Sequence, residues 1–288
     1  MSKAFKPANY KPRKAMVVDA LNLAFRWYHS KQQNFVEDYI ATVKSLRRSF
    51  ECGMVFITVD SRGSTYRKNI YPEYKANRTE KYEQQTPEEE KRFLEFIAEF
   101  RRTIAEIENS CPEFLVLQYD GVEADDLAAK LVKSRKRFNI EELMLVSSDK
   151  DWDLLILDDG ISRFSYVTQK IINLENWHDF YDYSQEQHIS IKCLQGDSGD
   201  NVPGINKVGP ATALKLLKQF GTAMDVADAI PIPGKYKYIE YTNNFGSDAI
   251  YRNYMLMDLL AFCDEAIGAE NIIDFDDKVT SYVSTLAS

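Results

Sequence analysis

Apolar residues in this chain fall in short runs set between longer stretches of helical periodicity. AMVVDA (15–20), MVFITVD (54–60), FLVLQY (114–119) and ELMLVSSDKD (142–151) are the runs. Each is β-branched or aliphatic and too short for a helix, and each lies between helical patterns. That alternation predicts an α/β fold with a mostly parallel central sheet flanked by helices. Residues 38–50 place Ile40, Val43 and Leu46 at helical spacing. Residues 86–109 open on Thr86 as N-cap, Pro87 at the first position and Glu89 three after the cap, a capping box. Phe93, Phe96, Ile97, Phe100, Ile104 and Ile107 then form one core-facing stripe.

After residue 160 the pattern changes. ISRFSYVTQKIINL alternates like a hairpin or edge strand pair, 184–220 reads as helix, Gly-rich turn and helix, and the last seventy residues read as helical with a turn at PIPGK (231–235). We expect a flexible leader over 1–14, an α/β core over 15–180 and a helical lobe over 181–288. No internal repeat or low-complexity tract interrupts them.

Composition narrows the chemistry. The four cysteines and three histidines are scattered, which disfavours a disulfide framework or a Cys/His zinc site and points to thiols in a reducing cytoplasm. The basic start MSKAFKPANYKPRK has no apolar segment, so a secretory signal is not expected, and no apolar run is long enough to span a membrane. A formal net charge of -8 argues, as an average, against a nucleic-acid partner.

The distribution of charge argues otherwise. The predicted strands run into acids: Asp19, Asp60, the group Glu123, Asp125 and Asp126, and Asp149 with Asp151. In an open α/β sheet these positions gather beyond the carboxyl ends of the strands, where ligands bind. LQGDSGDNVPG (194–204) adds Asp197 and Asp200 at the end of a helix. A like-charged pair about 4 Å apart costs roughly 4 kcal/mol at an effective dielectric near 20. Hard divalent cations offset such crowding, and two of them suit phosphodiester cleavage. One Asp at a strand end is most often a cap; nine from five segments are not. Asp149-x-Asp151-x-Asp153 is no EF-hand, because Leu154 and Gly160 stand where Gly and Glu are required. An aspartyl-nucleophile phosphatase is disfavoured because Ala20-Leu21 follow Asp19.

Two cationic stretches accompany the acids. SRGSTYRKNIYPEYKANRTEKY (61–82) holds Arg62, Arg67, Lys68, Lys75, Arg78 and Lys81, interleaved with Tyr66, Tyr71, Tyr74 and Tyr82. A charge run is usually a solvated loop, but cations with interleaved rings suit single-stranded nucleic acid. NVPGINKVGPATALKLLKQFG (201–221) reads as hairpin and helix. Gly204 and Gly209 permit a tight turn, Pro210 opens the helix, and Lys207, Lys215 and Lys218 add charge that can grip duplex phosphates.

In order, Asp19, Asp60, PEYKANR, GVEADD, SSDKDWD, GDSGDN and PGINKVG resemble the structure-specific 5′-nucleases: flap endonucleases, the 5′-nuclease domain of bacterial DNA polymerase I and, most of all, the stand-alone phage enzymes. The resemblance spans roughly residues 15–265. It implies a helical arch at about 61–110 and a DNA-binding helix-hairpin-helix at about 185–221. It implies cleavage of branched or 5′-ended DNA, and of RNA in primer hybrids, during replication. It further implies Mg²⁺ as two ions, with Mn²⁺ able to substitute, held by Asp19, Asp60, Glu123, Asp125, Asp126, Asp149, Asp151, Asp197 and Asp200. Lys75 and Arg78 match residues that contact the scissile phosphate, with Asp149 and Asp151 counted beside them as catalytic. Tyr74 matches an aromatic near the threaded strand, and the hairpin matches a duplex anchor that also takes K⁺. Arg67, Lys68, Lys81, Gly204, Lys207, Gly209 and Lys215 are the further DNA contacts expected.

We expect a monomer acting in the cytoplasm, the host's if phage-encoded, and leave a clamp or polymerase partner open. The competing readings are a PIN-type ribonuclease, which needs neither arch nor hairpin, and a silent DNA-junction binder, which would not keep the acids.

Overall fold

The computed structural model describes residues 9–61 and 63–287. The apolar runs form a six-stranded sheet in the order β3-β2-β1-β4-β5-β6. Its strands are β1 (Lys11–Asp19), β2 (Cys52–Thr58), β3 (Leu115–Leu117), β4 (Glu142–Val146), β5 (Ile161–Ser165) and β6 (Lys170–Ile172). All neighbours pair in parallel except β5 and β6, the antiparallel hairpin that the alternating pattern predicted.

Side chains of β1 alternate between two apolar layers, as the period of two requires. Ala15 and Val17 face one layer, Met16 and Val18 the other. The second layer is closed by α1 (Ala20–His29), α2 (Val36–Ser49) and, after the short helices α3 (Thr65–Ile70) and α4 (Ala76–Glu83), by α5 (Pro87–Ser110). The capping box at Thr86 and Glu89 forms as expected, and the buried stripe of α5 includes Phe96, Phe100, Ile104 and Ile107. The first layer is closed by α6 (Ala124–Ser134).

A lobe beyond the sheet is built from α7 (Gln185–Gln195), α8 (Pro210–Phe220), α9 (Ala223–Asp228), α10 (Lys237–Phe245) and α11 (Ser247–Met257) around Ile191, Leu194, Leu216 and Ile250. The chain then returns. α12 (Leu259–Ile267) and α13 (Ala269–Ala287) pack Cys263, Phe275, Val279 and Tyr282 onto the first layer of the sheet. The Tyr282 hydroxyl donates to the Glu113 carbonyl at 2.7 Å and accepts from the Val55 amide at 3.0 Å.

Two expected boundaries are therefore corrected. Residues 259–287 belong to the α/β core, because without them the apolar face of β2 and α6 would be open. Lys11–Lys14 are strand rather than leader: the Lys11 amide donates to the Glu51 carbonyl at 2.8 Å, and Lys14 pairs with Glu142 at 2.9 Å. Residues 1–8 of the expected leader lie outside the described residues.

Candidate active site

The strand order reverses direction between β1 and β4, and the crevice at their carboxyl ends is where the acids collect. Asp19 is the last residue of β1 and the N-cap of α1, accepting from the Asn22 amide at 3.2 Å. Its second oxygen accepts from the Ser147 hydroxyl, just past β4, at 2.8 Å. Asp60, beyond β2, accepts from the Ala124 amide at the start of α6 at 2.9 Å. Asp125, in the first turn of α6, accepts from the Trp152 indole at 2.6 Å. Asp149 caps a 3-10 turn over Lys150–Leu155 by accepting from the Asp151 amide at 2.9 Å. Each carboxylate is thus placed by a backbone or side-chain donor that only the fold brings near.

Asp19, Asp60, Glu123, Asp125 and Asp149 line one cavity of about 520 Å³ together with Lys68, Tyr74, Lys75 and Arg78. Asp149 also lines a second cavity of about 610 Å³, with Asp151, Asp197 and Lys192. Asp197 follows Gly196, the C-cap of α7, and accepts from the Gly199 and Asp200 amides.

Electrostatics divide the acids. Burial, and then the neighbouring Asp60 charge, push Asp19 up to about 8. Burial likewise raises Asp60, and raises Asp125 strongly with help from Asp149 and Asp19. Burial raises Asp151 to about 6 despite Lys192. Burial also acts to raise Glu123 and Asp197, but Lys75 and Arg67 at the first, and Lys192 and backbone N–H groups at the second, outweigh it and lower both. A row of carboxyls that resist ionisation until positive charge arrives is what a divalent-cation site looks like without its ions.

Among the described residues no group of three or more His, Cys, Asp or Glu stands as a ready-made metal site. The all-oxygen donor set, spread around one cavity, fits hard divalent ions and not zinc in a thiolate cage.

Lys75 and Arg78 reach the acids. The Lys75 ammonium donates to Glu123 at 2.7 Å and lies 3.7 Å from Asp200, and Arg78 pairs with Asp200 at 2.8 Å. Both come from α4 and the turn before it, tied down by the Lys75 amide, which donates to the Asp200 carbonyl at 2.9 Å.

Three expectations are corrected. Arg67 is buried, 3% exposed, and cannot reach DNA. It donates to both oxygens of Asp126 at 2.8 Å, to Glu123 at 3.1 Å and to the Leu256 carbonyl at 2.8 Å. Asp126, expected among the cation ligands, is fully buried with both oxygens held by Arg67 and lies outside the lining of both cavities. Tyr74 is 4% exposed; its ring packs in the helical lobe and its hydroxyl donates to Glu123 and Asp200, so no face is open for stacking.

Lys68, Lys207 and Lys215 are exposed, and Gly209 is open around its Cα, whereas Gly204 is packed against α7. The side chain of Lys81, like Arg62, lies outside the described residues. Sequence reasoning passed over Asn22, Ser147, Trp152 and Lys192. Lys192 had a signal: it is a lone cation in the buried run ISIKCL.

The 5′-3′ exonuclease N-terminal resolvase-like domain matches residues 14–182, and the 5′-3′ exonuclease C-terminal SAM fold matches residues 183–259. The flap endonuclease of Escherichia phage T5 is 36% identical over 278 residues, covering 96% of this chain and 93% of that protein. The T5 D15 protein co-crystallised with metal ions superposes with a TM-score of 0.84 at 34% identity, covering 96% of this chain and 100% of that one. A T5 D15 flap endonuclease complex with DNA and metal ions gives a TM-score of 0.88 at 32% identity, covering 94% and 100%.

Proposed function

The chain belongs to the 5′-3′ exonuclease family of nucleases, and from that premise we propose a divalent-metal-dependent flap endonuclease and 5′-3′ exonuclease that hydrolyses DNA at 5′ flaps and 5′ ends during replication. RNA in primer hybrids is a further substrate, and the products carry 5′-phosphate and 3′-hydroxyl. The observation that carries this reading is the cavity in which Asp19, Asp60, Glu123, Asp125 and Asp149 face Lys75 and Arg78. Acids alone would repel a phosphate, and cations alone would not hold hard metal ions. Together around one cavity of about 520 Å³, they suit phosphoryl transfer.

Mg²⁺, as two ions replaceable by Mn²⁺, is the cofactor this donor set suits; bound there it would offset the carboxylate and phosphate charge and favour ionisation of the attacking water. Asp19, Asp60, Glu123, Asp125 and Asp149 would hold it from the first cavity, and Asp151, Asp197 and Asp200 from the side of the helical lobe. Lys75 and Arg78 exchange Glu123 and Asp200 for the scissile phosphate and steady the charge that grows on it as the bond breaks. Lys68 lies on the path of the strand into the cavity. Lys207, Gly209 and Lys215 meet duplex phosphates, and backbone carbonyls of the hairpin take K⁺. Among the described residues no helix is long and apolar enough to cross a membrane. We place the protein as a monomer in the cytoplasm, that of the host if it is phage-encoded.

The test is cleavage of an end-labelled 5′-flap duplex, with Mg²⁺ or with EDTA, by the natural protein and by the double variant Asp149→Asn/Asp151→Asn. The expected outcome is Mg²⁺-dependent cutting at the junction, lost in the double variant while binding of the flap survives. Tight binding without cutting under any divalent ion would overturn the reading in favour of a junction-binding protein.

A further inference from the structure

Lys192 has no part in the scheme above. It projects from the last turn of α7, in a run where Ile191, Cys193 and Leu194 are buried. Its side chain is 14% exposed, and a lysine so placed needs a partner. The ammonium donates to Asp151 Oδ1 and, at 3.3 Å, to Asp197 Oδ2. Asp151 belongs to the turn after β4, Asp197 to the loop after α7, so one cation joins the sheet edge to the helical lobe. Among the described residues neither acid pairs with any other lysine or arginine. Asp149, shared with the first cavity, lines the same space of about 610 Å³.

We propose that Lys192 is a built-in counter-ion that stands in the place of the second divalent cation and is displaced from Asp151 and Asp197 when that cation binds. The proposal rests on the reading of the acid cluster as a divalent-cation site. A lysine suits the role because its charge is compact and its stem flexible. One unit of positive charge on two carboxylates keeps them together without neutralising both. An ammonium and a divalent ion cannot share those two oxygens, since they repel at that separation. The cavity beside Lys192 gives the stem room to swing away. The second ion must therefore compete with a tethered cation, and the site it fills is the weaker of the two. A lysine that merely held the acids in position would do the opposite and raise the affinity for the ion.

The test is calorimetric titration of Mn²⁺ into the full chain without DNA, comparing the natural protein with Lys192→Met and Lys192→Arg. Lys192→Met is expected to bind the weaker ion at least about tenfold more tightly, as removal of one competing charge requires, and Lys192→Arg to show no such gain. Equal or weaker binding by a Met variant of native circular dichroism overturns the proposal and leaves the nuclease reading intact. Absence of Mn²⁺ binding in the natural protein overturns both. A second measurement needs no variant: acylation of the Lys192 amine by an N-hydroxysuccinimide ester, followed by peptide mass spectrometry, should rise several-fold at saturating Mn²⁺. Unchanged reactivity would mean the ammonium stays on its acids, and the proposal fails.

Discussion

Arg67 lies in a run of cations and aromatic rings, beside the exposed Lys68, yet its guanidinium is enclosed by Asp126, Glu123, Ser64 and the Leu256 carbonyl. Residue type marked the run as cationic and aromatic but did not show that this member is buried. The planar fork of arginine matches a carboxylate in two parallel bonds, and here both oxygens of Asp126 are 2.8 Å away. A buried pair broken on one side leaves a bare charge, so Arg67→Met should lower stability by about 3–5 kcal/mol in urea denaturation. A loss below about 1 kcal/mol, the range of an exposed pair, would show that water reaches Asp126 and that the acid is free for other duties. The same reasoning separates the acids. Asp19, Asp60, Asp125 and Asp149 were legible as a set because each follows a strand, and a parallel sheet collects strand ends. Asp126 follows a strand too, and only its neighbour shows that both its oxygens are taken by Arg67.

Between residue and molecule, the connection from α7 to α8 shows what a turn rich in glycine can mean. Gly196 has φ +71 and leads the chain out of α7 into the loop that carries Asp197 and Asp200. Gly204 returns against it: a Cβ there would lie 1.8 Å from the Gln195 carbonyl oxygen. The Asp197 and Val202 amides and carbonyls exchange bonds of 2.8 and 2.7 Å across the loop. Gly204 is thus required by the crossing of two backbones, not by an exposed N–H. Gly204→Ala should cost at least the 1–3 kcal/mol typical of overpacking, about as much as the crossing can yield, and should reduce flap cleavage by moving Asp197 and Asp200. Thermal melting and the flap assay check it; a variant with unchanged melting and activity would mean the crossing is looser than its geometry. Helix α4 and the turn before it depend on the same loop, since Lys75 and Arg78 are anchored on Asp200. The periodicity of α3 and α4 alone is weak, which is why the stretch reads in sequence as a charged loop.

For the whole molecule, a net charge of -8 leaves room for the proposed DNA ligand because some cations stand clear of the acids. Asp19, Asp60, Glu123, Asp125, Asp149, Asp151 and Asp197 line two cavities, whereas Lys207 and Lys215 are exposed on the hairpin and on α8. If those lysines meet phosphates, Lys207→Ala and Lys215→Ala should each weaken duplex binding and reduce the slope of log affinity against log salt by about 1. Fluorescence anisotropy across a salt series measures this; an unchanged slope would remove both residues from the interface. Overall architecture also explains the misplaced boundary. α12 and α13 are helical like the lobe before them, and nothing in their periodicity tells which apolar surface they cover. Phe275, Val279 and Tyr282 settle on the sheet because β2 and α6 present an apolar face there.

By itself the sequence determined the elements and the chemistry. Short apolar runs between amphipathic stretches determined a parallel sheet with helices, since strand burial and helical periodicity are local properties. Acids at successive strand ends marked one sheet edge as a candidate cation site, and their order with PEYKANR and PGINKVG carried the resemblance to the nuclease family that the chain belongs to. Only the tertiary structure decided which charges face the crevice and which face each other. Arg67 with Asp126, Tyr74 with Asp200, Lys192 with Asp151 and Asp197, and Tyr282 with Val55 are joined across 59, 126, 41, 5 and 227 residues of chain. Pairings over such separations follow from how packed elements turn their faces toward one another, which no local pattern records.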